Sequence, residues 1–228
     1  CHEEIIWADP EEKGVTNWSL VYIHGFSACA KEGDPMAQEM AARYGMNLYL
    51  ARVAEHGLDT AEVMHDLTAD RMLRSAQLAL AVGRALGDSV LIMSTSTGGT
   101  LALYLASLHN EVKGLVNYAP NVRVADPNAR LLTLPWGLYL GRAVLGSKYR
   151  SYEAQPPETE QYWTTTYRIE GLVALQNLIQ YTMLPATFSR ITQPALTAFY
   201  YRDSTHKDEV VSLPAVRRMH RQLGTPDS

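Results

Sequence analysis

The feature that most restricts how this chain can fold is the passage from Val90-Leu91-Ile92-Met93 through Ser94-Thr95-Ser96-Thr97-Gly98-Gly99 into Thr100-Leu101-Ala102-Leu103-Tyr104-Leu105-Ala106. An apolar run without alternation suits a strand buried on both faces, and the second apolar stretch suits a helix laid against it. Only small residues separate the two, so the chain must turn in a tight, crowded bend. At such a bend a serine is held with its hydroxyl at the C-terminal edge of the sheet and the N-terminus of the helix beneath it. Small residues are needed two places before and two places after it, because the backbone crowds itself there. Ser96 has Ser94 and Gly98 in those places, whereas Ser94 would have Ser96 where the second Gly belongs. Ser96 is therefore the candidate nucleophile. Taken alone, the same letters also describe a Ser/Thr/Gly turn that does no more than cap a helix.

Around this bend, apolar β-branched runs alternate with segments of helical period, the pattern of a mostly parallel sheet flanked by helices, so the fold class is α/β. Strands are expected over Ser19 to Ile23, Asn47 to Val53, Ser89 to Met93, Val112 to Tyr118 and Ala195 to Tyr201, with Glu4 to Ala8 as an edge strand. Helices are expected over Pro35 to Tyr44, Thr68 to Leu86, Gly98 to His109 and Leu213 to Leu223. A length of 228 residues fits one large domain, or one domain with an inserted subdomain. The alternation stops after Tyr118. Between Asn121 and Arg190 no strand is evident; a Leu- and Trp-containing stretch, a polar Pro-containing bridge from Ser151 to Glu160 and a helix from Ile169 to Tyr181 take its place. A strandless insertion between two strands of one sheet reads as a helical cap, giving a core of residues 1–120 and 191–228 and a cap of residues 121–190. Leu131, Leu132, Leu134, Trp136, Leu138, Tyr139, Leu140 and Val144 are too apolar for a fully solvated flap, so some of them should face the sheet or a pocket that accepts an acyl or alkyl group.

A second signal stands at the end of an early strand, where Leu20-Val21-Tyr22-Ile23 runs into His24-Gly25-Phe26. A loop there can present a backbone N–H to a developing oxyanion, and the Phe26 and Thr97 amides are the two expected donors. The pieces fall in a telling order: His24-Gly25-Phe26 after the first core strand, Arg52 and His56-Gly57 after the next, Ser94 to Gly98 at the bend, then the insertion and an acidic loop. In this the chain resembles the α/β-hydrolase superfamily, specifically the serine hydrolases with a helical cap that include monoacylglycerol lipases, carboxylesterases and serine aminopeptidases. The resemblance extends over nearly the whole chain; one departure is Ser94, where the family usually has Gly.

The resemblance implies an acyl-enzyme on Ser96, a main-chain oxyanion hole, a small to medium carboxylic ester as substrate and no metal or organic cofactor. An amidase or peptidase of the same fold is the alternative within the class, and a non-catalytic binding protein is the alternative outside it. The family's acid follows the strand after the cap. Here Asp208, before Val210-Val211, is favoured over Asp203, which is nearer the strand end. The family's base lies on a loop beyond one further strand, and this chain ends at Ser228, a few residues after the helix that follows the acid. The expectation is thus of a fold without its last strand and histidine loop. Of the seven histidines, His206 in the acid loop and His220 on the terminal helix are the remaining candidates for the base. Ending the sheet there would also leave the Ala195 strand as an open edge, for which a homodimer through that edge is the expected outcome.

Lys plus Arg is 20 against 24 for Asp plus Glu, a net charge of −4 with no basic block to engage a phosphate backbone, so nucleic acid is not an expected partner. The longest apolar run, Leu101 to Ala106, is far short of the roughly 20 residues that span a bilayer. Two cysteines, Cys1 and Cys29, make neither a disulfide framework nor a zinc cage, and a reducing cytoplasm is the expected compartment. The alternative is a lipid anchor on Cys1.

Overall fold

The computed structural model describes residues 2–153 and 157–226. Its strands are β1 (Glu4–Ile6), β2 (Thr16–Ile23), β3 (Asn47–Ala51), β4 (Gly87–Thr95), β5 (Val112–Tyr118), β6 (Tyr149–Ser151), β7 (Thr166–Arg168) and β8 (Ala195–Ala198). The helices are α1 (Met36–Tyr44), α2 (Ala69–Leu86), α3 (Thr97–Ala106), α4 (Gly137–Leu145), α5 (Glu170–Thr182), α6 (Pro185–Phe188) and α7 (Leu213–Arg221). Six strands form one sheet in the order β1-β3-β2-β4-β5-β8, parallel throughout except for β1 against β3.

The central strand is β2, and its Leu20, Val21, Tyr22 and Ile23 are all buried, as a parallel strand covered on both faces requires. Val21, Ile23, Val90 and Ile92 face one core, which continues into α2, α3 and α5. Leu20, Tyr22, Leu48, Leu50 and Met93 face the other, closed by Ala37 and Ala41 of α1. Helix ends follow local chemistry. The Thr68 hydroxyl caps α2 by accepting from Arg71 N at 3.1 Å, and Gly45, at φ 62°, ends α1 in the left-handed region.

One expectation needs correction. The segment from Asn121 to Arg190 is not strandless: β6 and β7 form an antiparallel pair within it, from Tyr149↔Arg168 to Ser151↔Thr166. Strands of three residues are too short to show alternation, and their partners lie far apart in sequence. The apolar stretch around Trp136 is divided: Leu131, Leu132, Leu138 and Leu140 are half-buried, while Trp136, Tyr139 and Val144 are 52%, 72% and 76% exposed. The reason is that α4 packs through its glycines. A Cβ on Gly137 would stand 2.4 Å from Leu132 O, and one on Gly141 would stand 3.0 Å from Leu132 Cδ2 and 3.2 Å from Ile169 Cγ2. The glycines of α4 face the protein, and Tyr139 and Val144 face out.

β8 is shorter than expected. Its pairing with β5 ends at Ala198, and Tyr201 instead bridges to Lys207. Among the described residues the far edge of β8 has no strand partner, and Leu196 there is 59% exposed. Cys29 is buried and disulfide-bonded, which the expectation of a reducing compartment did not include. Cys1 lies outside the described residues, as does the middle of the Ser151 to Glu160 bridge. Among the described residues no helix is long and apolar enough to cross a membrane.

Candidate active site

In a parallel sheet the crevice for a ligand opens where neighbouring strands send the chain to opposite sides. Here that point lies between β2, whose chain continues to β3 on one side, and β4 on the other. Ile23 and Ser94 are register partners at the C-terminal ends of these two strands. His24-Gly25-Phe26 and Ser96 therefore emerge side by side.

Ser96 has φ 51° and ψ −112°, a conformation that costs a non-glycine residue about 1–3 kcal/mol and persists only when its surroundings enforce it. Those surroundings are dense. Ser96 N donates to Tyr118 O at 2.9 Å, and Ser96 O accepts from Gly99 N at 2.9 Å, Thr100 N at 3.3 Å and Asn121 N at 2.9 Å. A serine preceding a helix ordinarily caps it with its hydroxyl, yet Ser96 makes no such bond to α3. The absence of that bond argues against a simple capping turn.

The helix behind it is pressed against the end of β2. A Cβ on Gly98 would lie 1.9 Å from Ile23 O and 2.8 Å from His24 O, so only glycine lets α3 come this close. Ser94 is fully buried and donates to Asn117 Oδ1 at 2.8 Å, which gives it a structural role under the bend. The Phe26 and Thr97 amides, the expected oxyanion donors, meet no acceptor among the described residues.

The turn carrying Phe26 is braced from below by two buried histidines. His24 Nδ1–H donates to Gly25 O at 2.8 Å, and His24 Nε2 accepts from Val53 N at 3.1 Å. An imidazolium has no lone pair for Val53, so this geometry demands the neutral ring. Burial, and then the neighbouring His56, lowers the His24 pKa to about 3, and burial lowers that of His56 to about 4. His56 donates from Nδ1 to Ala54 O at 2.8 Å and lies edge-on to the Phe26 ring at 5.4 Å. Both histidines take up protons in the unfolded chain below pH ~6.5, while the folded protein refuses them until about pH 4 and 3. Stability from this pair is therefore complete above pH ~6.5 and falls with pH below it, by about 1 kcal/mol per pH unit for each ring. We expect the melting temperature to drop steadily from pH 7 to pH 4, and a flat profile would show that neither ring is held neutral by the fold.

From above, the insertion rests directly on the same turn. Thr164 N donates to Ser27 O at 2.6 Å, Ser27 Oγ and Tyr152 OH share a hydrogen bond of 2.7 Å, and Ala28 bridges to Trp163. Tyr167 meets the Phe26 ring edge-on at 5.4 Å. An ionic cluster holds the insertion: Arg168 pairs with Glu62 and with Glu170, whose carboxylate also takes Arg142 at 2.6 Å.

The acid candidates separate by location. Asp208 Oδ1 accepts from Val210 N and Val211 N, both at 2.8 Å. Val211 bridges to Val124, and Ala125 N donates to Val210 O at 2.9 Å, so this loop is stitched to the segment that leaves Asn121, itself bonded to Ser96 O. Asp203 is bonded instead to Thr205 and, at 2.9 Å, to His206 Nδ1, out in solvent. The Thr205 hydroxyl and then His206 hold its carboxyl down at about 2. His220 Nδ1 shares a hydrogen bond of 3.1 Å with Thr197 Oγ1 on β8 and is exposed. The structure thus brings Ser96, Phe26 and Thr97 together and ties the Asp208 loop to them. It pairs His206 with Asp203, and among the described residues no histidine is hydrogen-bonded to Ser96. Among the described residues no cluster of His, Cys, Asp and Glu could hold a metal ion.

Sequence reasoning missed Glu32, Tyr22 OH and Tyr152 OH, which bond to the turn carrying Phe26 or to its neighbours. No local pattern marks them, since each acts on a residue brought near only by folding.

This architecture is the α/β-hydrolase fold, and comparison with solved structures bears that out. A metagenome-derived lipolytic enzyme (LipS/LipT) superposes with a TM-score of 0.78 at 16% identity, covering 99% of this chain and 84% of its own. The monoacylglycerol lipase of Paleococcus ferrophilus gives 0.66 at 13% identity, over 99% of this chain and 85% of the lipase. MenH from S. aureus gives 0.61 at 18% identity, over 97% and 84%. No family model matches the sequence, and no curated protein matches it.

Proposed function

We propose that the protein is a serine hydrolase that cleaves small to medium carboxylic esters through an acyl-enzyme on Ser96. The observation that carries this reading is the backbone of Ser96 at φ 51° and ψ −112°, with its hydroxyl unbonded to the helix it precedes. In this reading Ser96 Oγ attacks the ester carbonyl, and the Phe26 and Thr97 amides stabilise the oxyanion. The alcohol leaves, and water then releases the acyl group from Ser96. Asp208 orients the histidine that takes the Ser96 proton, and His206 and His220 are the candidates for it. Residues 121–190 act as a cap whose Tyr152, Trp163 and Tyr167 lean on the oxyanion turn. Neighbours of this fold that are lipases and esterases agree with an ester substrate.

The test is a fluorophosphonate label on the whole chain, with the adduct located by mass spectrometry. Labelling on the peptide that contains Ser96, lost in Ser96→Ala, is the expected result. His206→Gln and His220→Gln then separate the two bases, and Asp208→Asn against Asp203→Asn the two acids. A second reading, a binding protein on a hydrolase scaffold, is favoured by the lack of a histidine bonded to Ser96 among the described residues. It predicts no adduct on a protein that is folded by circular dichroism.

A further inference from the structure

Glu32 sits on the 3₁₀ turn Ala30–Gly33, in a place where a carboxylate is costly. Burial raises its pKa, so the site is paid in hydrogen bonds or not at all. Both bonds go to one oxygen: Glu32 Oε2 accepts from Gly25 N at 2.7 Å and from Tyr22 OH at 3.1 Å. The turn is held at this height by Gly33, where a Cβ would stand 2.6–2.7 Å from atoms of the Tyr22 ring.

Each bond leads to one half of the oxyanion site. On one side, Gly25 is held at both ends: its N–H by Glu32, and its carbonyl by His24 Nδ1–H at 2.8 Å and Ala28 N at 3.3 Å. A trans peptide carries its C=O and N–H in opposite directions, so fixing Gly25 O fixes where Phe26 N–H points. Releasing Gly25 N would free the preceding His24–Gly25 peptide to turn about Gly25, a residue with no Cβ to resist, and would leave the Phe26 N–H plane held only through Gly25 O, by His24 Nδ1 and the longer 3.3 Å bond from Ala28 N. On the other side, Tyr22 OH lies 2.9 Å from Thr95 Oγ1, and Thr95 directly precedes Ser96. The chain Phe26–Gly25–Glu32–Tyr22–Thr95–Ser96 is therefore a hydrogen-bonded strut between the turn that offers one amide and the bend that offers the other.

We propose that Glu32, acting with Tyr22, is a positioning residue that sets the separation of the Phe26 and Thr97 amides across the site. It touches neither substrate nor Ser96 Oγ; it acts through Gly25 and Thr95. This rests on the esterase reading above for its effect on rate, but the brace itself has a signature of its own in the exchange of the Gly25 amide.

The experiment compares Glu32→Ala, Glu32→Gln and Tyr22→Phe in the whole chain, measuring kcat and KM on p-nitrophenyl butyrate together with hydrogen exchange at the Gly25 and Phe26 amides. Glu32→Ala is expected to lower kcat by about 10- to 100-fold with KM within about twofold, because a displaced donor is missed mainly by the transition state. Glu32→Gln, which still offers an oxygen to both donors, is expected to recover kcat to within about threefold, and Tyr22→Phe to fall between the two. Gly25 exchange is expected to quicken by about tenfold or more in Glu32→Ala and to stay near wild type in Glu32→Gln. Should Glu32→Ala not fold, Glu32→Gln and Tyr22→Phe preserve shape and decide the question. If the wild type turns over no ester, the esterase reading fails while the exchange comparison still judges the brace. Unchanged kcat and unchanged Gly25 exchange in Glu32→Ala, or a Glu32→Gln as impaired as Glu32→Ala, would overturn the proposal.

Discussion

Ser96→Ala is expected to lower turnover of an activated short-chain ester by about 10,000-fold or more, the scale on which loss of an activated nucleophile is felt. The variant should fold at least as well as the parent. Alanine at φ 51° meets the same backbone strain as serine, and the Ser96 hydroxyl makes no cap bond whose loss would matter. Kinetics and thermal melting on the same preparation check both halves. Retained turnover would remove Ser96 from the mechanism, whereas lost turnover with a lowered melting temperature would mean that Ser96 is structural. The phosphonate adduct and this kinetic result are independent, since one reports nucleophilicity and the other the whole cycle.

Gly98→Ala is the second large effect, and it should strike stability and chemistry together. One methyl placed 1.9 Å from Ile23 O cannot be accommodated by a side-chain shift, because the obstacle is backbone at the end of the central strand. Either α3 moves out from the sheet or β2 bends, and we expect destabilisation of about 2–4 kcal/mol, read by denaturant unfolding. Whichever element yields, the distance between the Phe26 and Thr97 amides changes, because one follows β2 and the other opens α3. Activity should therefore fall by about 100-fold or more even at temperatures where the variant is folded. A Gly98→Ala protein with parental stability and turnover would show that α3 is not held against Ile23 as described. The contrast with Ser94 is instructive. It stands equally close to the bend, but its hydroxyl is satisfied by Asn117, so its role lies in packing the sheet.

The insertion reaches the same turn. Tyr152, Trp163 and Thr164 touch the turn that follows Phe26 at Ser27 and Ala28, while Tyr139 and Val144 of α4 are exposed. The part of the insertion in contact with this turn is therefore the β6–β7 side, and the Leu- and Trp-containing stretch presents Trp136, Tyr139 and Val144 to the surface.

Much of this protein could be read from local pattern. The α/β class, the order of the core strands and the helices at Met36–Tyr44, Ala69–Leu86 and Leu213–Arg221 follow from runs of apolar residues whose period is set by their own backbone. The bend at Ser96 was legible for the same reason: strand, small residues and helix are contiguous, and crowding between them is a property of a few neighbouring residues. What only the tertiary structure decided is whatever depends on groups far apart in the chain. β6 and β7 exist because they pair with each other, not because three residues prefer extension. The direction in which α4 presents its apolar side is set by Leu132 and Ile169 against Gly137 and Gly141. Asp208 is distinguished from Asp203 by the Val211 to Val124 bridge, and His206 goes to Asp203 because that carboxylate is three residues away in a turn. Glu32 looks like any surface glutamate in the sequence; folding brings Gly25 and Tyr22 to it. Periodicity is written in neighbouring side chains, but the partner of a polar group is chosen by the fold, which alone determines what lies within 3 Å of it.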